Sequence, residues 1–247
     1  MKNSKPCLIQ APANIQASYE AAINENPNNA PTSSSGRKKR SVGEHQRFWR
    51  PGRTLKIAIT DYGDGGHEIV KNAINQWAPH VNLTFEFVTL IDDEELYEGD
   101  IRIYLTPLSN AVMYSAIGTD ALTEPSHLHT MQLGTDYSSA GYESLVMHEF
   151  GHALGFLHEH QHPDASIPWD KEKTYLQYAR QFGWSREFVD GAVFPLPRDA
   201  DRSYEPYDRH SIMHYNVLNT CTIGDWEQPV NLKLSAGDKA AALKFYP

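Results

Sequence analysis

The chain is short of cysteine, of long apolar runs and of positive charge. Only two cysteines, Cys7 and Cys221, occur in 247 residues, so no disulfide framework holds the fold and at most one bridge joins them. No run of 18 apolar residues is present, which excludes a membrane-spanning helix. A formal net charge of -9 argues against a phosphate-binding surface, so nucleic acid is not an expected partner. The amino terminus, MKNSKPCLIQAPANIQ, lacks the apolar stretch of a recognisable secretory signal. What is present in quantity is apolar residues, 40% of the chain, enough to bury a substantial core at this length.

Residues 1–45 are rich in Asn, Pro, Ala and Ser and run into the basic stretch RKKR at 37–40, a composition expected of a flexible tail or a pro-segment. Folded patterning starts at TLKIAI, which alternates as a strand, and continues in HEIVKNAINQWAPH, where Ile69, Val70, Ala73, Ile74 and Trp77 follow a helical period. VNLTFEFV and DIRIYL are two further strands, separated by the acidic turn DDEELYEGD. After the short apolar segments MYSAIG and TMQLG, a helix is expected from about Gly141 to Leu154, with Gly155 ending it. Another helix is expected in IPWDKEKTYLQYARQFGW, then a Pro-rich loop, then a closing helix with Ser235 as N-cap and Asp238 in its first turn.

The chemistry concentrates in HEFGHALGFLHEHQH, residues 148–162, which holds five histidines. His148 and His152 are four apart, so on a helix both imidazoles leave one face about 6 Å apart along the axis and can grip one ion. Glu149, about 100° around from His148, sits at the edge of that face, where a general base can reach a water at the metal. A glycine at 155 can adopt the left-handed conformation that ends a helix, and the reversed chain can present His158 from another direction. Three imidazoles with no fourth protein ligand favour zinc with an open position, the arrangement of catalytic rather than structural sites. HExxH alone would arise in a shuffled chain of this composition with a probability of about 4%, whereas the version extended by Gly155 and His158 falls to about 0.01%. His160 and His162 lie beyond the pattern and are expected at the solvated surface or as supports behind the ligands.

HExxHxxGxxH followed by SIMHY at 211–215 resembles the metzincin zinc peptidases, and the Glu after the third His together with the Tyr two residues beyond the Met resembles the astacin family in particular. The likeness spans roughly residues 45–247. It implies an α+β fold, a twisted mixed β-sheet with two long helices above a cleft and an irregular, mainly helical lower subdomain, with the two halves meeting near residue 155. It implies zinc held by His148, His152 and His158, Glu149 as general acid/base, and Met213 as the floor beneath the histidines. Tyr215 is implied to be a displaceable ligand that stabilises the developing oxyanion, and Glu159 to pair with a mature amino terminus after processing. The activity implied is that of a zinc metalloendopeptidase on polypeptide substrates, monomeric and secreted or extracellular. The substrate would pair with a rim strand near Ser115–Gly118. A catalytically silent zinc-containing binding domain and an exopeptidase are the alternatives. The four disulfide cysteines of animal astacins and their aspartate switch are absent here.

A thiolate is a strong zinc ligand, so Cys7, upstream of a basic run that trypsin-like or furin-like proteases cut, is a candidate latency ligand for the open position. A Cys7–Cys221 bridge is the rival way to tether the tail, and plain solvation or a nuclear-import-like patch is the rival account of RKKR.

Overall fold

The computed structural model describes residues 7–31, 46–90, 98–108, 112–198 and 204–247. The RKKR run at 37–40 and most of the acidic turn after the third strand lie outside them. Strands β1 (Leu8–Gln10), β2 (Thr54–Thr60), β3 (Thr84–Leu90), β4 (Ile101–Thr106), β5 (Tyr114–Ala116) and β6 (Met131–Gly134) form one mixed sheet in the order β1-β5-β6-β4-β2-β3. All neighbours are parallel except β5 and β6, which are antiparallel. Leu55, Ile57 and Ile59 of β2 are fully buried in the main core while Lys56 between them pairs with Glu98 at 3.0 Å, which is the alternation of TLKIAI; Ala58, on the Lys56 side, is buried against Val88.

Helices α2 (Gly66–Ile74) and α3 (Tyr142–Ala153) pack together on this sheet. Val70, Ala73 and Ile74 from α2 and Val146, Met147 and Phe150 from α3 join the strands in one core. A second, smaller cluster of Val189, Val193 and Phe194, with Trp169, Tyr175, Tyr178 and Trp184 against it, lies around α4 (Lys171–Phe182) and α5 (Arg186–Ala192). The last helix, α6 (Ala236–Phe245), opens on a capping box between Ser235 and Asp238.

The amino-terminal composition predicts a flexible tail or a pro-segment; residues 7–31 are not a flexible tail but carry β1, the helix α1 (Ile15–Glu25) and a 3-10 turn Pro27–Asn29 packed on the rest. The helix is capped by Asn14, whose side chain accepts from Gln16 and Ala17 N–H groups. What holds the segment is mainly polar. Ser18 Oγ donates to Asp120, which also pairs with Arg47 at 2.8 Å, and Glu25 pairs with Arg53. Asn29 donates to Phe48 O at 2.9 Å and accepts from Phe48 N at 3.0 Å, taking the place of a strand neighbour for that residue.

Arg102 of β4 is buried and, among the described residues, its guanidinium donates to carbonyl oxygens, those of Gly99, Glu124, Pro125 and Leu128. It fixes the loop that leads into β6, beside the short strand β5. Arg102→Met should therefore leave several carbonyls without donors and lower stability by about 3 kcal/mol, to be measured by urea unfolding.

Candidate metal centre

Helix α3 delivers His148, Glu149 and His152, all buried. It ends in a Schellman motif: Phe156 N–H donates to Gly151 O at 3.0 Å and Gly155 N–H to His152 O at 2.8 Å. Gly155 has φ 102°, and a side chain there would strike Phe48 and approach Arg47 O, so both the backbone and the space require glycine. Two further carbonyls at this helix end are taken by side chains from distant segments, Trp49 Nε1 to Ala153 O at 2.8 Å and the Tyr246 hydroxyl to Leu154 O. The turn is thus held from outside as well as by its own glycine, and His158 comes back onto the face of α3.

Imidazole orientation is set by carbonyls behind the rings. His148 Nδ1 lies 2.7 Å from Ile212 O and His152 Nδ1 2.8 Å from Phe156 O. Each carbonyl fixes the proton on Nδ1 and leaves Nε2 a bare acceptor pointing inward. His148 Nε2 has no hydrogen-bonding partner among the described residues, and His152 Nε2 lies 3.0 Å from His158 Nε2. That spacing suits a shared ion, since ligands 2.0–2.1 Å from a tetrahedral zinc stand about 3.3 Å apart. Burial lowers all three imidazole pKa values, His148 to about 4, which keeps the rings in the neutral form a metal needs. The residues therefore fit zinc.

The Met-turn contributes backbone as much as its side chain. Ile212 O orients His148, and Met213 O accepts from Glu159 N–H at 3.0 Å. Met213 Sδ fills the space over Gly151, where an added Cβ would lie 2.3 Å from the sulfur. Asp238 holds the turn in place: its carboxylate accepts from Ser211 Oγ at 2.6 Å and from Ile212 N–H at 2.8 Å while also capping α6. The sequence places Asp238 in a first turn but not on the Met-turn, because nothing local links residues 238 and 212. Gly151, in the middle of the motif, is likewise legible only as a helix residue.

Glu149 is fully buried beside these rings, and neither carboxylate oxygen has a hydrogen-bonding partner among the described residues. Burial pushes its carboxyl up to about 8; the Cys7 thiol, close enough to moderate the shift, does not meet the geometry of a full hydrogen bond. Cys7 is the fourth member of the cluster: its sulfur and one nitrogen each of His148, His152 and His158 lie within 4.8 Å of one another. Cys221 is buried elsewhere, against Thr174 of α4, and both cysteines are free, so the alternative of a bridge between them does not hold. The Tyr215 hydroxyl donates to Cys7 O.

His160 and His162 are not at the surface. Both are buried, His160 completely, because the 3-10 turn Glu159–Gln161 folds back under the site. Burial together with the neighbouring His214 lowers His160 to about 3, so its ring is neutral. Glu159 receives the Asp208 N–H at 2.7 Å and has no cationic partner among the described residues. Burial pushes its carboxyl up to about 7; the Asp208 N–H opposes the shift, and the charges of Asp238 and Asp208 add to it. Since the folded pKa lies above the unfolded value of 4.5, the acid's contribution to stability is present below pH 4.5 and lost as pH rises through 7. Glu159→Gln should thus raise the stability of the full chain by about 2 kcal/mol at pH 8 and change it little at pH 4, as thermal melts across pH would record.

A three-histidine centre on a helix–glycine–turn, above a methionine turn and under a mixed sheet, defines a zinc peptidase of the metzincin type. The model of the astacin peptidase family matches residues 41–227, and the chain belongs to that family, whose members are zinc metalloproteases. It is 36% identical to the solved structure of myroilysin, with a TM-score of 0.73, over 81% of this chain and 96% of that one. Blastula protease 10 from Paracentrotus lividus is 27% identical over 183 residues, covering 73% of this chain and 27% of that protein. High choriolytic enzyme 1, a hatching enzyme zinc-protease from the medaka Oryzias latipes, shares the fold at 18% identity and a TM-score of 0.51, over 85% of this chain and 98% of that one. The chain spans about a quarter to a half of the length of the curated relatives it first matches, 27%, 28% and 55%.

Proposed function

We propose that the protein is a zinc-dependent endopeptidase whose amino-terminal segment keeps it latent. The observation that carries the reading is the convergence of one nitrogen each of His148, His152 and His158 beside the buried carboxylate of Glu149, which has no hydrogen-bonding partner among the described residues. Zinc held by His148, His152 and His158 would supply a Lewis acid that polarises a peptide carbonyl and acidifies a water. Glu149 then serves as the proton carrier: it takes a proton from the attacking water and gives it to the leaving amine. Its position suits this, since the carboxylate lies beside the three imidazoles with no hydrogen-bonding partner among the described residues. The Tyr215 hydroxyl, which in this chain donates to the carbonyl of Cys7, would donate instead to a substrate oxyanion once that carbonyl is gone.

Latency rests on Cys7. Its sulfur takes the position a water would need, and β1 occupies β5 as a parallel neighbour, Leu8 opposite Tyr114 through Gln10 opposite Ala116. β5 is the rim expected near Ser115–Gly118, with its paired part ending at Ala116, after which Gly118–Leu122 turns as a 3-10 helix. We take 1–45 as the pro-segment and 46–247 as the catalytic domain, with halves meeting near 155. Processing within 32–45 would supply a new α-amino group, and the buried Glu159, short of a cation, is the acid suited to receive it. Secretion as a monomer belongs to the same reading, by likeness to the family. Chelator-sensitive cleavage of casein by the processed protein supports it; zinc binding without cleavage would instead establish the silent-domain alternative.

A further inference from the structure

Tyr215 has one neighbour that neither the metal nor the latency device uses. His160 is completely buried, and its ring lies flat on that of Tyr215, with centroids 4.1 Å apart and planes at 19°. The ligand His158 closes on Tyr215 from another direction, at 4.4 Å and 59°. Tyr215 is therefore flanked by two ligand rings, His158 and, at 6.1 Å, His148, and by the ring of His160, which has no ligand role of its own.

The second ring is itself anchored. His160 Nε2 lies 3.2 Å from Ala192 O, at the end of α5. The next residue repeats the attachment: Gln161 Nε2 donates to Gly191 O at 2.8 Å and to Phe194 O at 3.4 Å, and Gln161 O accepts from Leu196 N–H at 2.9 Å. The turn that carries His160 is thus fastened to residues 191–196, whose Val193 and Phe194 belong to the aromatic cluster of the lower half. On the far side of Tyr215, its own carbonyl is held by His214 Nδ1 at 2.6 Å, and His214 Nε2 by the Tyr207 hydroxyl at 2.9 Å. Backbone and ring face are both fixed, while the hydroxyl donates to the removable Cys7 carbonyl.

We propose that His160 is a positioning residue for Tyr215: a ring, braced by Ala192 O, that confines the tyrosine to sliding in its own plane so that its hydroxyl meets the reacting carbonyl in one orientation. The inference rests on Tyr215 taking part in hydrolysis. A stacked aromatic pair supports its partner by an amount equal to about a 3- to 10-fold change in rate if that support is used in the transition state.

The test uses the processed enzyme with a defined peptide, and the full chain for a second readout. His160→Ala should lower kcat by about 3- to 10-fold with KM within about 2-fold and zinc content unchanged. His160→Phe, which keeps the ring face, should restore kcat; His160→Gln, which can keep the Ala192 bond without a ring, should not. Added to Tyr215→Phe, His160→Ala should bring no further loss. In the zinc-free full chain with Cys221→Ser, alkylation of Cys7 should quicken in His160→Ala and not in His160→Phe, since a loosened Tyr215 no longer secures the Cys7 carbonyl. An equal loss in the Tyr215→Phe background, or a His160→Phe enzyme as slow as His160→Ala, overturns the proposal. Full activity of Tyr215→Phe overturns the catalytic role of Tyr215, and the alkylation rates then decide separately whether His160 holds that ring.

Discussion

Glu149→Ala should keep zinc and lose peptide hydrolysis by about a thousandfold, the upper range for removal of a positioned general acid/base. Metal and base are separable here because the three imidazoles are oriented by Ile212 O, by Phe156 O and by the turn after Gly155, none of which involves Glu149. The carboxylate in turn has no structural bond to lose, since neither oxygen has a protein partner among the described residues. The variant should therefore fold, bind metal in direct analysis and fail in turnover. Glu149→Gln should fail to a similar degree, because an amide of nearly the same shape cannot take the proton. Turnover within tenfold of the parent in either variant would remove Glu149 from the mechanism.

Cys7→Ala should convert the uncut full chain from latent to active, raising its peptide hydrolysis by at least about tenfold at unchanged zinc content, since a closed site becomes an open one. The buried Cys7 thiol is raised well above its ordinary pKa by burial and by the charge of Glu149, so in the metal-free chain it is a thiol; binding of zinc is what would deprotonate it. The gain should fall short of full processing. β1 still pairs with β5, and Ser18, Glu25, Asn26 and Asn29 still hold the segment to Asp120, Arg53 and the Phe48–Trp49 backbone. Asn29→Ala, which removes both bonds to Phe48, should add to the effect of Cys7→Ala. A Cys7→Ala chain no more active than the parent would rule out the thiol as the latency ligand.

The parts legible in the sequence are those in which a local pattern and a distant contact ask for the same residue. His148, Glu149, His152 and Gly155 are readable because a helical period, a carboxylate and a turn glycine fall in one stretch, and the strands 54–60 and 101–106 because every second residue, Leu55, Ile57 and Ile59, then Ile101, Ile103 and Leu105, is apolar and joins the core. The ordered amino-terminal segment is hidden by its polarity: α1 buries only Ser18 and Ala22, so no apolar stripe announces it, and its anchors are asparagines that look like loop residues. Burial of His160 and His162 is hidden for a different reason. Their cover comes from Ala192, Tyr204, Tyr207, His214 and Tyr215, 30 to 55 positions away, and no spacing rule connects them. Asp238 and Gly151 belong to the same class, each with a local role that masks a contact to the Met-turn.

The central claim is that this centre cuts inside polypeptide chains by metal-dependent hydrolysis. It is tested most directly by incubating the processed protein with a peptide blocked at both ends and weighing the products. The expected masses are those of internal fragments, each bond broken with the gain of one water, abolished by a zinc chelator and restored by zinc. An intact blocked peptide beside cleavage of its unblocked counterpart, or cleavage indifferent to the chelator, would contradict the account.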